Sequence, residues 1–252
     1  MVVAAIVGGA INSIAGGGTL LTFPALVGLG IPPIVANATS TVALWPGALG
    51  SMLGYRRELV GASGWALRWA IPSMVGGLLG ALLLLRTPSD RFESLVPWLV
   101  LGATTLFVAQ RPVMDWLRAH RGPAESTDDD RTSRPPLLVL IFQFLVAVYG
   151  GYFGAGIGIL MLAALGFIGF TNIHRMNGLK NFGGLCINAV AALTFARSSL
   201  VYWPVAMAMA VGAVAGGYAG SALAQRVPQQ RVRQAIIAIG FASGIWLLSG
   251  RF

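Results

Sequence analysis

Apolar runs long enough to cross a bilayer follow one another along the chain, separated by short breaks rich in Pro, Gly and Arg. A helix needs about 20 residues to cross the hydrocarbon layer. Read by apolar length and breakers, the chain divides into segments near 1–30, 33–54, 64–86, 91–110, 136–170, 173–197, 201–225 and 228–249. Between the fourth and the fifth lies the one polar stretch, Arg111 to Pro135, with Gly122-Pro123, Asp128-Asp129-Asp130 and Pro135-Pro136. The pattern predicts an all-α, polytopic membrane protein. A first membrane repeat covers 1–110, a polar linker on the cytoplasmic side covers 111–135, and a second membrane repeat covers 136–252.

The two halves match. A gapless shift of 140 residues places Gly16 on Gly156, Gly18 on Gly158, Leu20 on Leu160 and Asn37 on Asn177. It also pairs Arg57 with Arg197, Gly76-Gly77 with Gly216-Gly217, and Gly80 with Gly220. Arg86, Pro88 and Arg91 then meet Arg226, Pro228 and Arg231. Matching Asn, Arg, Pro and paired Gly in one register points to a duplicated four-segment unit, a common transporter build. The first segment of each unit is too long for one crossing and is broken centrally by glycines, at Gly16-Gly17-Gly18 and at Gly154-Ala155-Gly156-Ile157-Gly158. If both broken segments re-enter on the side they left, Arg86, Arg91, Arg197 and Arg251 fall on one face. Every other Lys or Arg outside the membrane then falls on the other, with the linker. The positive-inside rule prefers this sharper division to eight crossings. Three crossings per half then invert the second repeat relative to the first.

Composition narrows the class. Of the 252 residues 56% are hydrophobic and 10% charged, where a soluble domain carries about 25% charge to hydrate its surface. An ordinary soluble enzyme and a disordered chain are excluded. The net charge of +9 would suit nucleic acid if spread over one face. It lies instead in clusters between apolar runs, such as Arg56-Arg57 and Arg231-Val232-Arg233, as at the ends of membrane spans. The lipid bilayer is the expected partner, and nucleic acid is not. The single cysteine, Cys186, allows no disulfide within the chain and no cysteine-built metal site. No cleavable signal peptide is expected, since no basic stretch precedes the first apolar run.

Candidate chemistry is sparse and of one sign. The acidic residues, Glu58, Asp90, Glu93, Asp115, Glu125 and Asp128–Asp130, all fall outside the central spans. This argues against a cation site and a carboxylate proton relay at membrane depth. The two histidines, His120 in the linker and His174 at a span end, make no metal cluster. No cofactor, metal or catalytic step is expected. What remains suits an anion. In the second half Asn177, Lys180, Asn181, Gly184 and Asn188 form one helical stripe, and Asn37, Ser40, Thr41 and Ser51 form the corresponding stripe in the first. Each follows closely behind a glycine break, where free N–H groups and a half-helix N-terminus can face an oxyanion. Plainer roles compete. Thr39 and Thr41 suit backbone bonding or helix–helix glue, and Lys180 suits snorkelling to the interface. His174 and Arg175 read as interface anchors, and Gly76-Gly77-x-x-Gly80 and its repeat as close-packing faces. Trp65, Trp69, Trp98, Tyr202 and Trp203 read as an aromatic belt.

Ile14-Ala15-Gly16-Gly17-Gly18, with Pro24 and then Ala36-Asn37-Ala38-Thr39-Ser40, resembles the N-terminal signature of the sulfite exporter TauE/SafE family. Lys180-Asn181, Asn188 to Ala192, Phe195, Val201, Trp203 and Gly216-Gly217 are similar to that family's second repeat. The likeness covers nearly the whole chain. It implies a multi-pass inner-membrane transporter of sulfur-containing anions such as sulfite or sulfoacetate, acting as an exporter. It also implies that Gly16, Gly17, Gly18, Asn37, Thr39, Ser40, Lys180 and Asn181 line the pathway. The stripe and the second glycine break add Gly156, Gly158 and Asn177 to the expected substrate-binding set. Two departures stand out: Asn12 occupies the region where members often carry an acidic residue, and Leu179-Lys180 replaces the Thr-Ser pair. The reading is a carrier that moves a small anionic substrate by alternating access between the halves. The alternative is a membrane scaffold or assembly protein with no permeation path. Small-residue faces permit a homodimer without demanding one.

Overall fold

The computed structural model describes residues 1–15, 17–55, 63–119, 135–167, 170, 173–223 and 229–250. Among these residues the chain forms ten helices and no strand. In the first half they are α1 (Val2–Ala15), α2 (Thr19–Val27), α3 (Pro33–Tyr55), α4 (Ser63–Arg86) and α5 (Ser89–Ala119). In the second half they are α6 (Leu137–Tyr152), α7 (Ile157–Phe167), α8 (Ile173–Ala196), α9 (Trp203–Leu223) and α10 (Gln229–Leu248).

Proline sets several helix starts, because the first N–H groups of a helix have no carbonyl to bond and proline has no N–H to lose. Pro33 opens α3, with the Ala36 N–H on the Pro32 carbonyl at 2.8 Å, and Pro136 precedes α6, with the Val139 N–H on its carbonyl at 3.0 Å. Each predicted long first segment is indeed two short helices. α1 and α2 fold back on one another: a Cβ added at Gly8 would meet Thr22 Cγ2 at 2.8 Å and the Gly18 carbonyl at 3.4 Å. In the second half the break runs through Gly154 and Gly156, at φ +82° and +80°, a region that a Cβ disfavours.

One element runs further than predicted. α5 continues nine residues beyond the apolar segment, to Ala119, and exposes Pro112, Asp115 and Trp116. No glycine interrupts this stretch, and Met114, Leu117, Arg118 and Ala119 are good helix formers, so the helix enters the first part of the expected linker. Residues 120–134 of that linker lie outside the described residues.

The halves are interleaved. α1 packs against α9 and its repeat partner α6 against α4; likewise α3 packs against α9 and α8 against α4, while α3 meets α8 and α5 meets α10. Glycines make these crossings close. A Cβ at Gly77 would meet the Ile187 carbonyl at 3.0 Å, and at the repeat position Gly217 it would meet the Gly47 carbonyl at 2.6 Å. Gly80 and Gly216 lie directly against the carbonyls of Val148 and Ile6. The glycine faces therefore serve helix approach, as the pattern predicts.

Polarity is arranged inside out. Thr22, Asn37, Thr39, Ser40, Ser73, Thr104, Gln143 and Lys180 are buried, while Leu67, Ile71, Met74, Val75, Leu78, Leu79 and Leu83 of α4 are exposed. Water would penalise an apolar face of that size; lipid would not. Three described helices are long and apolar enough to cross a membrane, over Gly64–Arg86, Ser89–Ala109 and Arg175–Ala196. The core gathers Phe23, Phe92, Phe107, Phe153 and Phe195 with Leu20, Leu26 and Leu84. Within it Phe23 meets Phe153 edge-to-face at 5.4 Å, tying α2 to the second break. A second cluster holds Trp65, Trp69, Met161, Leu165, Phe170 and Met176. This corrects the aromatic belt. Trp98, Tyr202 and Trp203 are exposed, but Trp65 and Trp69 are buried against each other, with Phe170 edge-on to Trp65. Sequence distance from a span end does not tell which side of a helix an indole occupies.

Candidate functional site

α8 carries the only buried cation among the described residues. Lys180 is 3% exposed, and its Nζ has no hydrogen-bond partner among the described residues. The next residue, Asn181, likewise has a buried Nδ2 without a partner. Both line a cavity of about 30 Å³, room for one or two waters. Gly184, Leu185 and Asn188 continue its wall along α8, and Ile157, Gly158 and Met161 supply the α7 wall. The first half contributes Asn12 from α1 and Ala48 from α3, so the cavity lies where the halves meet.

The α7 wall follows from the second glycine break. The Tyr149 hydroxyl donates to the Ala155 carbonyl at 2.8 Å, and the N–H groups of Phe153 and Gly154 bond back to the Tyr149 carbonyl at 2.9 and 3.2 Å. These contacts finish α6 and turn the chain so that the first turn of α7, Ile157 and Gly158, borders the cavity. The first N–H groups of a helix lack intrahelical carbonyls and carry its positive dipole end. On α8 the Asn188 Nδ2 is spent on the Gly184 carbonyl at 2.9 Å. The site thus combines a buried ammonium, a free amide N–H₂ and a helix N-terminus, with no acidic residue on its wall. That set favours negative charge.

Of the predicted site residues, Gly158, Lys180 and Asn181 meet at this cavity. Gly156 sits in the break just before α7, against Ala103 of α5. Asn177, half-buried one turn before Lys180 on α8, stands outside the cavity wall.

The first-half residues have structural partners instead. Asn37 donates from Nδ2 to the Tyr152 carbonyl at 2.9 Å, satisfying the end of α6. Thr39 Oγ1 accepts the Tyr202 N–H at 3.0 Å, just ahead of α9. Ser40 Oγ and Thr22 Oγ1 share a hydrogen bond of 2.6 Å, and Thr22 also donates to the Gly18 carbonyl, which ties α2 to α3. Gly17 lies under the Phe107 ring and Gly18 against the Gly8 carbonyl. Gly16 lies outside the described residues. The cavity also draws in Asn12, Gly184 and Asn188, none of them in the expected binding set. The last two share the stripe of Lys180 and Asn181, and Asn12 is the polar residue just ahead of the first glycine run.

Apolar outer faces, glycine-broken half-helices and a polar interior shared by two interleaved repeats define an α-helical membrane transporter. The chain belongs to the sulfite exporter TauE/SafE family, whose model matches residues 1–247. It is 31% identical over 252 residues to a Sinorhizobium probable membrane transporter protein, ORF9, covering 98% of this chain and 90% of that one. It is also 30% identical to the Escherichia coli K12 probable membrane transporter protein YfcA, over 97% of this chain and 87% of that one. A Haemophilus influenzae probable membrane transporter protein is 28% identical over 92% of this chain and 86% of its own. No solved structure matches the chain. Membership in a transporter family sets aside the reading as a scaffold without a permeation path.

Proposed function

We propose that the protein is a multi-pass carrier of the inner membrane that exports a small sulfur-containing oxyanion, sulfite or an organosulfonate such as sulfoacetate. It works by alternating access between two inverted halves. One observation carries this reading: the Lys180 ammonium is buried and unpartnered at a cavity shared by both halves. A bare buried charge costs several kcal/mol, and an oxyanion beside it recovers much of that cost. Asn181 Nδ2 and the first N–H groups of α7 then serve the anion's remaining oxygens. The present cavity is too small for an oxyanion of several heavy atoms, so loading widens the gap between α7 and α8. Movement at the glycine break is the natural means.

The test is flux through proteoliposomes holding the purified protein, with sulfite, sulfoacetate and sulfate as separate substrates. Transport of one of these anions is expected, and Lys180→Ala should abolish it while inserting and purifying normally. Unchanged flux of every transported anion in that variant would overturn the site assignment. No flux of any anion in the unmodified protein would overturn the substrate class.

A further inference from the structure

A second polar cluster lies beside α8, away from the anion cavity. Gln143 of α6 is fully buried and donates from Nε2 to Ser73 Oγ of α4 at 2.8 Å; Ser73 in turn donates to the Trp69 carbonyl at 2.7 Å. This chain orients the carboxamide. The one serine proton is committed to the Trp69 carbonyl, so Ser73 can only accept from Gln143. Gln143 Oε1 is left buried and without a partner, and so is the Trp69 indole N–H.

The cluster packs against α8 at Gly183, within a turn of Lys180. A Cβ built at Gly183 would fall 2.5 Å from Trp69 Nε1 and 3.3 Å from Gln143 Nε2. Gly183 is three residues beyond Lys180 on α8, and such neighbours have Cβ positions about 5–6 Å apart. A flexible four-carbon stem covers most of that span. Around the α8 axis, Lys180 stands between the cavity face (Asn181, Gly184, Asn188) and the face that meets this cluster (Met176, Gly183, Ile187). Among the described residues, the other buried side-chain acceptor without a partner is Asn37 Oδ1. Its carboxamide is tied to Tyr152, at the opposite end of α6.

The repeat positions carry no counterpart of these polar groups. At the repeat positions of Lys180, Gln143, Ser73, Trp69 and Gly183 stand Ser40, Val3, Ala213, Met209 and Ala43. Apart from Ser40 these are apolar. The cluster exists only where α4 and α6 meet α8, and not where their repeat partners α9 and α1 meet α3.

We propose that Gln143 is a positioning residue whose Oε1 receives the Lys180 ammonium as the empty carrier recrosses. A carrier that releases its substrate must recross with the site vacant, and an uncompensated ammonium would oppose that step. Oε1 has two lone pairs, so it accepts from the Trp69 indole and from the ammonium together. The lysine then alternates between anion and carboxamide, and its charge stays on the protein throughout the cycle.

This inference rests on the anion-carrier reading, and two modes of the same flux assay separate them. Exchange of internal for external anion needs only the loaded carrier; net efflux also needs the empty return. Gln143→Met keeps the volume and removes the acceptor. Net efflux should fall about tenfold or more, the scale of an uncompensated buried charge, while exchange stays near the unmodified rate. Gln143→Glu should hold the ammonium in a permanent ion pair and suppress both modes in a folded protein. If Gln143→Met does not fold, Ser73→Ala, which releases the amide orientation, should show the same split more weakly. Equal losses in both modes, or no loss in either, would overturn the proposal and leave Gln143 and Trp69 as a structural pair bridged by water. Absence of any anion flux in the unmodified protein would instead overturn the carrier reading itself.

Discussion

At the scale of single residues, Lys180 and Ser40 mark the difference between the halves. They occupy the same repeat position, yet Ser40 is bonded to Thr22 while the Lys180 ammonium has no partner among the described residues. Replacing an unpaired buried charge with an apolar group of similar length removes a desolvation cost, by about 1–4 kcal/mol where charged groups have been exchanged for hydrophobic ones. Lys180→Met should therefore melt at a higher temperature than the unmodified protein in detergent while losing anion flux. A lower melting temperature would mean that the ammonium is already compensated. Ser40→Ala should do the reverse, destabilising by about 1 kcal/mol through the lost hydrogen bond, with flux through the assembled protein largely kept. The lysine was legible in the sequence because a full charge inside an apolar run has few plain explanations. The roles of Asn37 and Ser40 were not, and for Thr39 the sequence offered packing glue beside pathway lining without deciding between them. Their partners Tyr152, Tyr202 and Thr22 lie 115, 163 and 18 residues away, and a polar stripe does not reveal whether it faces a cavity or a neighbouring backbone.

At the scale of elements, glycine does two separate jobs that one composition hides. Gly216 and Gly80 permit contact between helices of opposite halves, with no space for a Cβ. Gly154 and Gly156 let the chain turn out of α6 into α7 at positive φ. Gly102 on α5 has nothing within 4 Å of its missing Cβ and does neither. Gly216→Leu should abolish assembly or lower the melting temperature sharply, since overpacking costs about 1–3 kcal/mol or more even where neighbours can shift. Gly102→Ala should be neutral or slightly stabilising, by up to about 1 kcal/mol from helix propensity. Similar melting shifts in both variants would mean that the crossing is looser than described. The breaks and most span limits were legible, because glycine runs and prolines mark them directly. The burial of Trp65 and Trp69 was not, since it depends on Phe170 and on α6 and α8 arriving from the other half.

At the scale of the whole molecule, the exchanged packing of α1 on α9 and α6 on α4 makes each half incomplete alone. It is also what two units related by a twofold axis would produce. Such packing does not state how the axis lies relative to the membrane, so orientation has to come from the chain's faces. If the broken first segments re-enter, each half crosses three times; the linker around Ser133 and the turn at Ser199 then lie on opposite faces. If they span, the two positions share a face. In a protein whose Cys186 has been replaced by alanine, Ser133→Cys should react with a membrane-impermeant maleimide only from the cytoplasmic side, and Ser199→Cys only from the outside. Labelling of both from one side would remove the inversion. The two halves would then be parallel, and exchange of their conformations would no longer carry a central site from one face of the membrane to the other, because alternating access by repeat swapping requires the repeats to be opposed.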